Sequence, residues 1–112
     1  MEKHVKLLIA DESKEYGEQL GPILAKFGIQ VIWAPKDGSK VMEAIELSQP
    51  DAVLMDVFMP NMDAISIMDS VQRHPHGKTP VFLAFLSFDS PILEKELMRS
   101  GASYCFVKPF NL

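Results

Sequence analysis

AVLMDVFMP, Ala52 to Pro60, opens with an unbroken apolar run, Ala52 to Met55, that ends on a carboxylate, Asp56, and is followed by Met59-Pro60. A run this short with no polar alternation reads as a strand covered on both faces, as in a parallel sheet. Four other stretches read the same way. Val5 to Ala10 ends on Asp11-Glu12, and Ile29 to Ala34 ends on Pro35. Val81 to Leu86 ends on Ser87, and Tyr104 to Val107 runs into Lys108-Pro109-Phe110.

Segments with helical spacing separate these runs. Ser13 can cap a first helix, whose apolar face would be Tyr16, Leu20, Ile23, Leu24 and Phe27. Pro22 and two glycines predict a distorted helix ending near Gly28. Asp37-Gly38 is a turn signal, followed by a short amphipathic helix over 40–47. Ile65, Met68 and Val71 place a third helix over 64–73. Pro91 suits the first turn of a fourth helix, and Gly101 suits its end.

Five strands alternating with helices across short connections predict a doubly wound α/β fold with a five-stranded parallel sheet. The 112 residues make one domain, 1–112. The chain stops at Leu112, where a fifth helix is expected, so it reads as trimmed before that helix, with part of one sheet face uncovered.

Composition bounds the function. Hydrophobic content of 47% supports a packed core, and a net charge of -4 gives no electrostatic ground for nucleic-acid binding. The single cysteine, Cys105, allows no internal disulfide. The Met-Glu-Lys-His start lacks a signal-peptide pattern, and no apolar run could span a bilayer. The expectation is a cytoplasmic protein that does not touch the membrane. No glycine-rich phosphate loop or dinucleotide motif is present.

In an open parallel sheet the loops at the carboxyl ends of the strands share one edge, where ligands bind. Asp11, Glu12 and Asp56 would meet Lys108 there. Each has a plainer reading: a solvated acidic pair at a helix start, a turn aspartate, a surface lysine. Together, three carboxylates facing an ammonium suit Mg²⁺ and a phosphoryl group. An ionised carboxylate can act as nucleophile and form an aspartyl-phosphate without a general base.

The segments Ile9-Ala10-Asp11-Glu12, Leu54-Met55-Asp56-Val57-Phe58-Met59-Pro60 and Phe106-Val107-Lys108-Pro109-Phe110 together resemble the receiver domain of two-component response regulators. The resemblance covers the whole chain and implies a flavodoxin-like sheet of order 2-1-3-4-5. The ending from Gly101 to Phe110 is similar to the receiver of the stage-zero sporulation master regulator. The resemblance implies Asp56 as phosphoacceptor and Mg²⁺ held by Asp11, Glu12, Asp56 and the Phe58 backbone carbonyl. It also implies Lys108 at the phosphoryl group, a histidine kinase or phosphotransfer protein as donor, and an effector domain, fused or separate. The domain would not be an enzyme in its own right, since the transfer ends on its own Asp56.

Four positions depart from that pattern. Glu12 stands where the family favours Asp, and Ala64 where it favours Gly. Leu86 stands at the ungapped position of the switch hydroxyl, so either Ser87, one residue on, takes that role or the hydroxyl is missing; Ser87 is the favoured reading. Cys105 stands where the family carries an aromatic switch residue. These departures keep a second reading open: a pseudo-receiver that binds partners independently of phosphate. A flavin-binding electron carrier of the same topology is a distant third. The uncovered face would also suit a homodimer.

Three remaining features read as structural. His74-Pro75-His76 is a solvated loop, and the methionines at 55, 59, 62 and 68 are packing residues. Cys105 is an inert strand cysteine. Phe58, Met59 and Met62, so near the acids, have the alternative of an apolar partner surface.

Overall fold

The computed structural model describes residues 4–11, 14–74 and 77–107. Their order is β1 (Val5–Ala10), α1 (Lys14–Ala25), β2 (Ile29–Ala34), α2 (Gly38–Ser48), β3 (Ala52–Asp56), α3 (Ala64–Arg73), β4 (Val81–Leu86), α4 (Pro91–Ser100) and β5 (Ala102–Val107). The strands form one parallel sheet of order β2-β1-β3-β4-β5, as the family resemblance implies. Helix α3 lies beside both α2 and α4, while α1 packs on β2.

The core forms because each inner strand buries residues against this helical cover. Leu8, Val53, Met55, Phe82, Ala84 and Leu86 from the strands meet Val41, Ile45, Ile67, Met68 and Leu97 from the helices. Each large side chain so buried contributes about 1.5–3 kcal/mol of hydrophobic free energy. Met55, Met59 and Met68 are buried and Met62 packs against them, so the methionines are packing residues as expected. Of the apolar surface expected near the acids, Phe58 alone is exposed, at 58%.

The amino-acid pattern missed in three places. In α1, Ile23 and Phe27 are exposed, and only Leu20 and Leu24 of the expected face are half-buried; the Tyr16 side chain lies outside the described residues. Pro22 is accommodated within α1, which continues to Ala25. Helix α2 starts at Gly38 rather than Lys40, because Asp37 is its N-cap, accepting from the Ser39 backbone N–H. Leu47, placed on the apolar face by spacing, is 80% exposed.

β5 differs most. It runs from Ala102 rather than Tyr104, and its residues are mainly exposed rather than buried. It is an edge strand paired with β4 alone. Phe82 pairs with Ala102 and Leu83 with Tyr104, so Ser103 is an extra residue, a β-bulge. Beyond it Tyr104 and Phe106 line up with Leu83 and Phe85. Tyr104 stands edge-on to Phe106 at 4.8 Å between ring centroids, and Phe106 lies 5.7 Å from Phe85. Cys105 is half-buried, close to the Met98 sulfur at 3.8 Å. Burial, with the Glu94 charge adding to it, pushes its thiol pKa up and leaves it a poor nucleophile at neutral pH.

Candidate functional site at the carboxyl edge of the sheet

Asp56 is the last residue of β3, the central strand. Among the described residues it is the one buried charged side chain, 4% exposed. The register Ile9↔Leu54 brings the end of β1, with Asp11 just beyond it, level with the end of β3. The Asp11 backbone N–H donates to the Ala34 carbonyl at 3.2 Å, which ties this turn to β2. Two acids far apart in sequence therefore share one edge, as expected. Glu12 and Lys108, the other expected members, lie outside the described residues.

The loop after Asp56 is held from both sides. The Val57 N–H donates to the Phe85 carbonyl at 3.2 Å, and the Val57 carbonyl accepts from Ala64 at 2.9 Å. Asn61 turns the chain with a φ of 71°, a left-handed conformation that Asn tolerates better than most residues. Asp63 closes the loop by capping α3, accepting from the Ser66 N–H at 2.8 Å. Phe58, whose carbonyl was expected among the metal ligands, lies in this loop with its ring exposed.

A residue that the sequence reading did not single out completes the arrangement. Lys36 Nζ stands 2.9 Å from Asp56 Oδ2, with its side chain 23% exposed. Lys36 follows β2, two strands from β3. Strands lie about 4.8 Å apart, so the side chain must reach past the end of β1, and lysine is long enough to do so. The signal was present: Pro35-Lys36 follows one apolar strand just as Asp11 follows another, and neighbouring strands of a parallel sheet open on one edge.

The backbone of Lys36 is fixed by its surroundings. Pro35 precedes it and accepts from the Asp37 N–H at 2.8 Å. Gly38 donates its N–H to the Pro60 carbonyl at 2.9 Å, and Asn61 Nδ2 donates to Asp37 Oδ2 at 3.0 Å. A side chain at position 38 would run into the Met62 backbone, so glycine is what allows the approach. The two loops are thus clamped together. Between them lies an open cleft lined by Lys36, Phe58, Met59 and Pro60.

The switch hydroxyl belongs either to Ser87 or, with Leu86 at its position, to no residue. Leu86 ends β4 with its side chain buried in the core, and Ser87 follows at once, exposed. The Asp56↔Phe85 pairing puts both just past the level of Asp56.

The donor chemistry fits a hard divalent cation. Asp11 and Asp56 supply carboxylate oxygens, and the loop after Asp56 supplies backbone carbonyls. Mg²⁺ is commonly held by one or two carboxylates with water and phosphate oxygens, rather than by a full protein cage. Among the described residues no group of three or more His, Cys, Asp or Glu is placed to hold a metal ion. No described helix is long and apolar enough to cross a membrane.

The family model for the response regulator receiver domain matches residues 7–112. A curated relative is the protein-glutamate methylesterase/protein-glutamine glutaminase of Desulfotalea psychrophila, 27% identical over 108 residues, 96% of this chain. The chain spans only 30% of that relative's length. The signal receiver domain of the putative response regulator NarL from Mycobacterium tuberculosis superposes with a TM-score of 0.80 at 22% identity, covering 97% of this chain and 87% of that one. A putative response regulator from Chloroflexus aurantiacus gives a TM-score of 0.78 at 28% identity, with 97% and 88% covered. The sheet order, the buried aspartate ending its central strand and the family match over residues 7–112 agree: the chain belongs to the response regulator receiver domains of two-component signalling.

Proposed function

We propose that this domain accepts a phosphoryl group on Asp56 from a histidine kinase or phosphotransfer protein and so switches an effector. The observation that carries the reading is Asp56 itself, a buried carboxylate at the carboxyl end of the central strand, held against an ammonium. A buried acid at this edge is costly without a task or a partner.

In the transfer a carboxylate oxygen of Asp56 attacks phosphorus. The P–O bond forms as the P–N bond of a phosphohistidine breaks, and the imidazole nitrogen keeps that electron pair and takes a proton from water. Asp56 has no proton to lose, so no base is needed. A Mg²⁺ ion, when bound, neutralises charge building on the phosphoryl oxygens. Asp11, Glu12, Asp56 and the Phe58 carbonyl would hold it. Lys108 pairs with a phosphoryl oxygen, and Ser87 supplies the switch hydroxyl, since Leu86 has none and is buried.

The phosphorylated state then shifts a two-state equilibrium of the surface around α4 and β5. The effector, fused or separate, reads that surface. The similarity of the Gly101–Phe110 segment to a sporulation regulator's receiver supports transcription control as the output. A cytoplasmic location and self-association of two copies belong to the same proposal.

Buried Leu86 favours a second reading, a pseudo-receiver that binds its partner without phosphate. One experiment separates the two. The protein is incubated with Mg²⁺ and acetyl phosphate, and its intact mass is measured beside Asp56→Asn. We expect a single phosphoryl adduct on the wild type and none on the variant. A folded wild type with no adduct, or an equal adduct on both, rejects the phosphoacceptor assignment and leaves the pseudo-receiver.

A further inference from the structure

The geometry points to Lys36 as the resident counter-ion of Asp56: its ammonium stands beside the carboxylate that a divalent cation must reach, so the domain's metal affinity is set by competition with its own side chain. The inference rests on the reading of Asp56 as the phosphoacceptor and metal ligand.

Three observations support it. First, the contact is direct and well sheltered. Nζ lies 2.9 Å from Oδ2, with the carboxylate side chain only 6% exposed. Water screens the attraction in such a pair less than in a surface ion pair, and removing the ammonium would leave a buried charge uncompensated.

Second, Lys36 cannot be drawn away by a drifting loop. Pro35, the Asp37 cap, the Gly38 contact with Pro60 and the Asn61 bond to Asp37 hold its main chain against the very loop that follows Asp56. The loop is therefore built to deliver this side chain. Third, the open cleft bounded by Lys36, Phe58, Met59 and Pro60 gives the side chain room to swing outward by rotation about its own bonds.

A cation arriving at Asp56 meets this positive charge. It must turn Lys36 out toward the cleft or bind beside it against like-charge repulsion. In either case the ammonium weakens metal binding. Lys36 is thus a positioning residue that acts on the metal through Asp56, and a metal-free domain keeps its buried acid neutralised.

The test is isothermal titration of Mg²⁺ into the wild type, Lys36→Met, Lys36→Gln and Lys36→Arg, with metal-dependent thermal unfolding of each. Both neutral variants should bind Mg²⁺ about tenfold more tightly, the factor that a unit charge roughly 6 Å from a divalent ion produces even at the dielectric constant of water. Lys36→Arg keeps the charge and should stay within about twofold of the wild type. The neutral variants should also unfold at lower temperature without metal and gain more from saturating Mg²⁺. Gln retains a hydrogen-bond donor for Asp56, so it covers the case in which the Met variant does not fold.

Equal or weaker binding by the neutral variants overturns the inference, as does the absence of any Mg²⁺ binding in all four proteins. Failure of the phosphoacceptor reading would look different. Mg²⁺ titration would respond to Lys36 as described, while acetyl phosphate left no adduct on Asp56.

Discussion

Asp51 gathers three strands at the amino edge of the sheet. Its Oδ2 accepts from the Lys6 backbone N–H at 2.7 Å, and its Oδ1 accepts from Lys78 Nζ at 2.7 Å. Its own N–H donates to the Lys6 carbonyl and its carbonyl accepts from Val81, both at 2.9 Å. The Lys6 N–H and the Lys78 ammonium hold the Asp51 pKa below its ordinary value of 3.8. Bonds from the Ser39 and Asn61 side chains do the same for Asp37 at the opposite edge. A carboxyl whose folded pKa is depressed contributes stability that is fully present above its unfolded value and lost as pH falls through the folded one. The urea midpoint should therefore hold steady down to about pH 5 and drop below it. Asp51→Asn should start lower and lose less over the acid limb. A variant whose acid limb ran parallel to the wild type would show that Asp51 is not a source of that limb.

Residues at strand ends were legible in the sequence for a simple reason. Asp11 and Asp56 each close an apolar run, and parallel topology alone puts such residues on one edge. The place of Lys36 on that edge was legible in the same way, but its partnership with Asp56 was not, because it depends on two loops docking through Gly38, Pro60 and Asn61. Nothing in the spacing of 24 residues between Asp37 and Asn61 announces that contact.

Among the elements, strands and the helices with strong punctuation kept their expected bounds. β1, β2, β4 and α3 match the sequence reading, as does α4, with Pro91 in its first turn behind the Ser90 cap and Gly101 at its end. The misses come from tertiary context. Helical spacing placed Ile23, Phe27 and Leu47 inward, but burial depends on what covers each face, and the periodicity does not carry that information. For α2 the turn signal at Asp37-Gly38 was correct, but its role was larger: Asp37 caps the helix and Gly38 seats it on Met62. Gly38→Ala should cost about 1–3 kcal/mol, the usual range for overpacking. It should appear as a lower urea midpoint at unchanged slope. Because the same contact holds Lys36 in place, the variant should also bind Mg²⁺ more tightly than the wild type. A wild-type midpoint would show that the α2 start can back away from the Met62 loop without cost.

For the whole molecule, the sheet order sets where stability is concentrated. β1, β3 and β4 have neighbours on both sides, while β2 and β5 each have one. Val53, Met55, Phe82 and Ala84 are buried, whereas Tyr104 on β5 is 59% exposed. Local opening is easiest where few apolar contacts hold the backbone. Native-state hydrogen exchange should find the slowest amides in β3 and β4, at the level of global unfolding, with β5 opening at a lower free energy. Equal protection of β5 and β3 would mean that the edge strand and the core unfold as one unit. If β5 opens first, the proposed phosphoacceptor Asp56 sits on the rigid centre and the surface proposed to respond lies on the part that opens.

The bulge at Ser103 gives β5 an unusual tolerance to a change in chain length. In a regular strand, losing one residue turns every later side chain to the opposite side of the sheet. Here the ladder already skips Ser103, stepping from Ala102 directly to Tyr104 against consecutive partners Phe82 and Leu83. A chain lacking Ser103 could pair without interruption and still send Tyr104 and Phe106 to the side of Phe85, with Cys105 opposite them. The same loss at Phe106, beyond the bulge, would bring Val107 to the side that Phe106 now faces. One position of this strand is thus a spare count, and the sheet's outer border can absorb a deletion there without exchanging its inner and outer surfaces.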